Sequence, residues 1–236
     1  MPAHKLPTGE TAQTEAASAY SIVGMYSEPT DGEFVRHVAI LADDSELEFG
    51  QPAAVWHMGP PLEGGARLKS VHLVGSMPLD LDDVEGIHDW LEDVLKDPPP
   101  NPFKRYVVRP HCDWHIAPES GRALYRRFSC AGFVLECYRS IGIDLVNTDE
   151  RDLPDVDFDM LVKAYPEIEK ERVLARRGLS RDDLGIGGNG PWRLVLAGYV
   201  FHALDKITEE DPRSDPYTPE TATEAYFRGP SPSRGG

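Results

Sequence analysis

The chain has 236 residues and a formal net charge of −16, with 40% hydrophobic and 27% charged residues. That is enough for one globular domain with a real core and terminal extensions. The acidity argues against nucleic acid and anionic membranes as partners, and no apolar run reaches the length of a membrane span. Cys112, Cys130 and Cys137 make no disulfide framework, and the polar first eighteen residues lack a signal-peptide core, so a reducing, cytoplasmic setting is expected.

Residues 1–19 show no periodicity and read as a disordered tail. Tyr20–Tyr26 reads as a strand closed by a turn cluster at 28–32, and Phe34–Leu41 as a second, more apolar strand followed by a turn at Asp43-Asp44-Ser45. Two further strands, Ala53–Met58 and Leu68–Val74, flank a Pro/Gly-rich connection, which together predicts a small antiparallel sheet. Leu81–Leu95 places Val84, Ile87, Leu91, Val94 and Leu95 on one helical face, with Asp80 or Asp82 as cap and Pro98-Pro99-Pro100 as terminator. Lys104–Arg109 suggests a strand, 110–120 a loop and 121–127 a helical turn.

The next stretch organises the chain. Ser129 is an N-cap residue; Phe133, Val134, Cys137 and Ile141 share a face of the helix it starts, and Gly142 closes it. Cys130 then lies in the first turn, where unpaired N–H groups favour a thiolate, so its pKa is expected to be lowered. Beyond it, 158–165 reads as helix, 167–177 as a charged stretch, Gly185–Gly190 as a flexible linker and 192–207 as a helix carrying His202. Residues 208–236, rich in acidic residues, Pro, Ser and Gly, read as a second disordered tail. These acidic tails are candidate contacts for a protein partner. The cluster His111-Cys112-Asp113-Trp114-His115 lacks a second Cys/His pair, so neither metal nor cofactor is expected.

The run S-C-A-G-F-V at 129–134 resembles the [DNS]-C-[SA]-G-F-[VT] helix start of NlpC-type cysteine peptidases and their papain-like relatives. A nucleophilic cysteine needs a base. His37 in H-V-A-I-L and His57 in A-V-W-H-M both precede Cys130, an order similar to the circularly permuted, lecithin:retinol acyltransferase-like members of that superfamily. The resemblance, over roughly residues 20–145, implies an α+β, permuted papain-like domain at 20–207, its small antiparallel sheet packed against a nucleophile-bearing helix. It also implies a thiol hydrolase or acyltransferase. Cys130 would attack an amide, ester or thioester carbonyl of a small-molecule, peptide or acyl substrate, His37 would carry the proton, and a third group would orient His37. For that third group His57 competes with His72, Glu46 and Glu48. Without a membrane anchor, amide cleavage is favoured over lipid acyl transfer. The alternative is a non-catalytic binding or scaffold protein that keeps the fold.

Overall fold

The run Val35–Leu41 is apolar on both sides of the strand it forms, which suits only a strand covered on both faces. The computed structural model describes residues 4–5, 14–17, 19–26, 34–42, 45–48, 52–68, 71–96, 98–206, 213 and 215–226. In chain order the first half contains strands β1 (His4–Lys5), β2 (Thr14–Ala17), β3 (Ile22–Tyr26), β4 (Val35–Leu41), β5 (Ser45–Glu48), β6 (Ala53–Met58), β7 (Leu62–Leu68) and β8 (Leu73–Gly75), then helix α1 (Leu81–Leu95). The second half adds β9 (Cys112–Ile116), β10 (Ala123–Phe128), α2 (Cys130–Arg139), β11 (Asp155–Val156), α3 (Phe158–Ala164), α4 (Glu171–Arg176), β12 (Trp192–Arg193) and α5 (Ala197–Lys206). Among the described residues no helix is long and apolar enough to cross a membrane.

Six strands form an antiparallel sheet in the order β1-β8-β3-β4-β6-β7, giving the α+β architecture expected. Alternation along β4 divides the core. Val38 and Ile40 enter the large cluster that holds α2 and α5, whereas Ala39 and Leu41 join Val23, Val55 and Val74 on the other face. Helix α2 is buried at every position but Glu136 and Arg139, so it lies inside the molecule, against β4 and β6. Helix α1 is amphipathic. Asp80 caps it by accepting from Asp83 N at 2.9 Å, and Asp83 closes the reciprocal bond to Asp80 N.

Several local expectations fail for identifiable reasons. The Pro/Gly-rich connection after Met58 is itself strand β7, paired along β6. Residues 121–127 fall largely in β10, not a helical turn, because they pair with β9 and bury Tyr125 and Phe128 from one edge of a hairpin. The predicted strand at 104–109 gives way to a 3₁₀ turn at Pro102–Arg105, started by Pro102 and capped by Asn101 Oδ1 on Phe103 N. Within the stretches expected to be tails, β1 pairs with β8 and β2 with β5, while Tyr217 and Ala225 are buried against the domain. The turn cluster at 28–32 and Asp43-Asp44 lie outside the described residues.

Candidate active site

Ser129 sets the start of α2. Its Oγ accepts from Gly132 N at 2.9 Å and its carbonyl from Phe133 N at 2.9 Å, while its own N–H donates to the His111 carbonyl at 2.9 Å. That carbonyl lies so close to the helix that a Cβ at position 132 would stand 1.9 Å from it. Glycine is therefore required in the second residue after the cysteine. The far side of α2 is tied down by Glu136, which takes hydrogen bonds from Arg126 and Arg139; His111 Nε2 stands 3.7 Å away.

Cys130 is 2% exposed, and its thiol lies against the backbone N–H groups of Val38 and Ala131. Burial pushes its pKa up to about 11; those N–H groups oppose the rise without cancelling it, and Glu167 adds to it. The expectation of a lowered thiol pKa is thus corrected. The site is closed enough that loss of hydration outweighs the partial positive charge of the helix start.

His37 and His57 come together. His37 Nε2 and His57 Nδ1 are 2.9 Å apart, with the rings edge to face at 84°. His57 Nε2 then lies 3.5 Å from Glu63 Oε2 on β7. A carboxylate only accepts, so Glu63 fixes the direction of the chain. His57 carries its proton on Nε2, its Nδ1 accepts from His37 Nε2–H, and the lone pair of His37 is left on Nδ1. Burial, and then the positive charges that His57 and Arg36 would present, hold the His37 pKa down to about 3, so the ring is neutral. Burial also lowers His57, against the pull of Glu63.

Two irregularities in the sheet make this arrangement. Opposite Trp56, β7 carries two residues, Gly64 and Gly65, a bulge of one extra residue with Gly65 at φ +66°, which brings Glu63 into register with His57. Arg36 is the extra residue of a second bulge, since Met25 pairs with His37 and Tyr26 with Val35. A bulge re-aims side chains, and Arg36 joins His37 at one cavity.

That cavity, of about 380 Å³, brings Cys130, His37 and His57 to a common space, together with Tyr165, Glu167 and Arg177. The thiol and the ring reach it from different sides of the start of β4. Val38 packs with Cys130, whereas His37 shares its face with Met25, Ala39 and Leu41. No hydrogen bond joins the thiol to either imidazole among the described residues. Of the competing third groups, His72 is committed elsewhere, accepting from Tyr26 N at 3.0 Å and stacking on that ring. Glu46 and Glu48 lie on β5, whose side chains lie outside the described residues. His202 sits on α5, stacked on Tyr217.

Sequence reasoning missed Glu63, because L-E-G-G reads as a turn, and it missed Tyr165. Tyr165 lines the cavity, and its buried hydroxyl has no hydrogen-bond partner within bonding geometry among the described residues, with Ser129 nearby. The Tyr165-Pro166 step after a short helix carried no signal of chemistry. No known protein family, no curated protein and no solved structure matches the chain.

Proposed function

We propose that the protein is a thiol-dependent acyl-transfer enzyme, a hydrolase of amide or ester bonds or an acyltransferase, built on a permuted papain-like arrangement. The observation that carries this reading is the chain Glu63–His57–His37, which leaves the lone pair of His37 on Nδ1, with His37 and Cys130 lining one cavity. In the resting state thiol and imidazole are both neutral. As a substrate carbonyl enters, the Cys130 thiol gives its proton to His37 Nδ1 while Sγ forms a bond to the carbonyl carbon. His57 and Glu63 hold the tautomer and stabilise the imidazolium. The tetrahedral oxyanion takes the Cys130 N–H and the Tyr165 hydroxyl, a donor without a partner in bonding geometry among the described residues. The C–N or C–O bond breaks as His37 returns the proton to the leaving group. Water, or another acceptor, then attacks the thioester with His37 as base, and the thiol is regenerated.

A non-catalytic binding protein is the second reading, favoured by the raised thiol pKa and by the absence of a thiol–imidazole hydrogen bond. Acylation by p-nitrophenyl acetate separates the two. An enzyme gives a burst of nitrophenolate and an acetyl adduct on Cys130 by mass spectrometry. Cys130→Ala abolishes the burst and His37→Gln slows it by about 10²–10⁴-fold, both with unchanged circular dichroism. A chain without a burst, or a burst indifferent to His37, sinks the acyl-transfer reading.

A further inference from the structure

The cavity has a charge balance at odds with the chain around it. The protein carries a net charge of −16, yet two guanidinium groups, Arg36 and Arg177, line this space. Neither takes part in an ion pair among the described residues, in contrast to Arg109 with Glu150, Arg127 with Asp113, Arg193 with Asp155 and Arg213 with Asp83. Arg36 is placed by the bulge in β4, and Arg177, at the end of α4, lies over the Phe103 ring at 5.5 Å. The Arg177 carbonyl accepts from Asn101 Nδ2 at 3.0 Å, so the backbone that carries it is anchored too. Among the described residues Glu167 is the one carboxylate lining the cavity, and it receives the Tyr106 hydroxyl at 3.5 Å. Both histidines that line it are neutral, so the described lining is left with one net positive charge.

Two guanidinium groups at one cavity, neither ion-paired among the described residues, make that cavity positive within an acidic protein. Arginine is also the side chain best shaped to bind a planar anion through paired N–H donors. We infer that the substrate of this site carries an anionic group, carboxylate or phosphate, beside the reacting carbonyl, and that Arg36 and Arg177 bind it. This rests on the acyl-transfer reading for the reaction but not for the charge preference. A cavity of about 380 Å³ suits a small acidic amide or ester rather than a long chain.

The test uses the full chain and two alkylating agents of nearly equal size, iodoacetate and iodoacetamide. In each the thiolate sulfur forms a bond to the methylene carbon and iodide leaves; only the charge differs. The rate of modification at Cys130 is read by mass spectrometry at pH 9, and the ratio of the two rates is divided by the same ratio for glutathione. Because the ratio cancels thiol ionisation, it is independent of the ester burst described above, and either result can fail alone. The normalised ratio is expected to exceed one and to fall about three- to tenfold in Arg36→Gln and in Arg177→Gln. Arg36→Lys should retain most of it. Glutarate and inorganic phosphate, added separately, distinguish the two anions by which of them protects Cys130 from iodoacetate. A normalised ratio at or below one, or one unchanged by both arginine substitutions, overturns the inference whatever the protection result.

Discussion

His37 is an ionisable side chain held in its uncharged form, and that has a consequence for stability. Its folded pKa lies near 3 against 6.5 for a free imidazole, with burial as the leading cause. Between those values the unfolded chain binds a proton that the folded chain refuses, so stability falls as the pH drops from 6.5 towards 3. The slope from this one ring approaches about 1.4 kcal/mol per pH unit. Urea unfolding of wild type and His37→Gln at a series of pH values between 7 and 4 should show a shallower dependence in the variant. Parallel slopes would mean that the ring is not kept neutral by burial. Cys130, His37 and His57 stood out in the sequence because the short motifs around them resemble those of the papain-like superfamily. Glu63 and Tyr165 did not, since their positions depend on a bulge and on packing between segments far apart in sequence.

Helix α2 is where local sequence and tertiary contact agree most closely. The cap, the buried face and the terminating glycine at 142, with φ +80°, all follow from residues within the segment. What the segment alone does not reveal is the reason for Gly132, which is the His111 carbonyl pressed against it. Gly132→Ala should cost about 3 kcal/mol or more, since backbone must move. Ser129→Ala should cost about 1 kcal/mol through the lost cap. Chemical denaturation of both variants checks the order, and a Gly132→Ala chain as stable as wild type would mean that the approach of residue 111 is misplaced. The strands were less legible. β9 and β10 gain their structure from each other, and short polar runs such as Cys112–Ile116 carry little signal until a partner strand is in place.

At the scale of the whole molecule, the segment 215–226 closes the domain. Tyr217 bridges to Val146 and Tyr226 to Phe34, while Ala225 is fully buried. Arg213 reaches back to Asp83 at 2.7 Å, next to the cap of α1. The composition of this stretch suggested a chain unable to bury surface, yet two tyrosines and an alanine suffice when the domain supplies the other side of each contact. A chain ending at residue 207 should therefore melt about 5 °C or more below one ending at 226, in line with the loss of about 2 kcal/mol of buried apolar contact. Equal melting temperatures in differential scanning calorimetry would show that the segment adds nothing.

The Gly64-Gly65 bulge makes the β6–β7 hairpin sensitive to length rather than to composition. Hairpins usually absorb an inserted or deleted residue at the surface. Here the two strands are counted from opposite ends. Pairing at Ala53–Val55 with Ala66–Leu68 fixes one half, and pairing of His57 with Glu63 fixes the other. Inserting one residue between Glu63 and Gly64 would put the newcomer opposite His57, move Glu63 opposite Met58 and turn it to the other side of the sheet, although every side chain of the relay would still be encoded. A comparison that asks only whether the histidines and the glutamate are present would pass such a chain as intact. The quantity to compare among relatives is the number of residues between His57 and the acid that faces it.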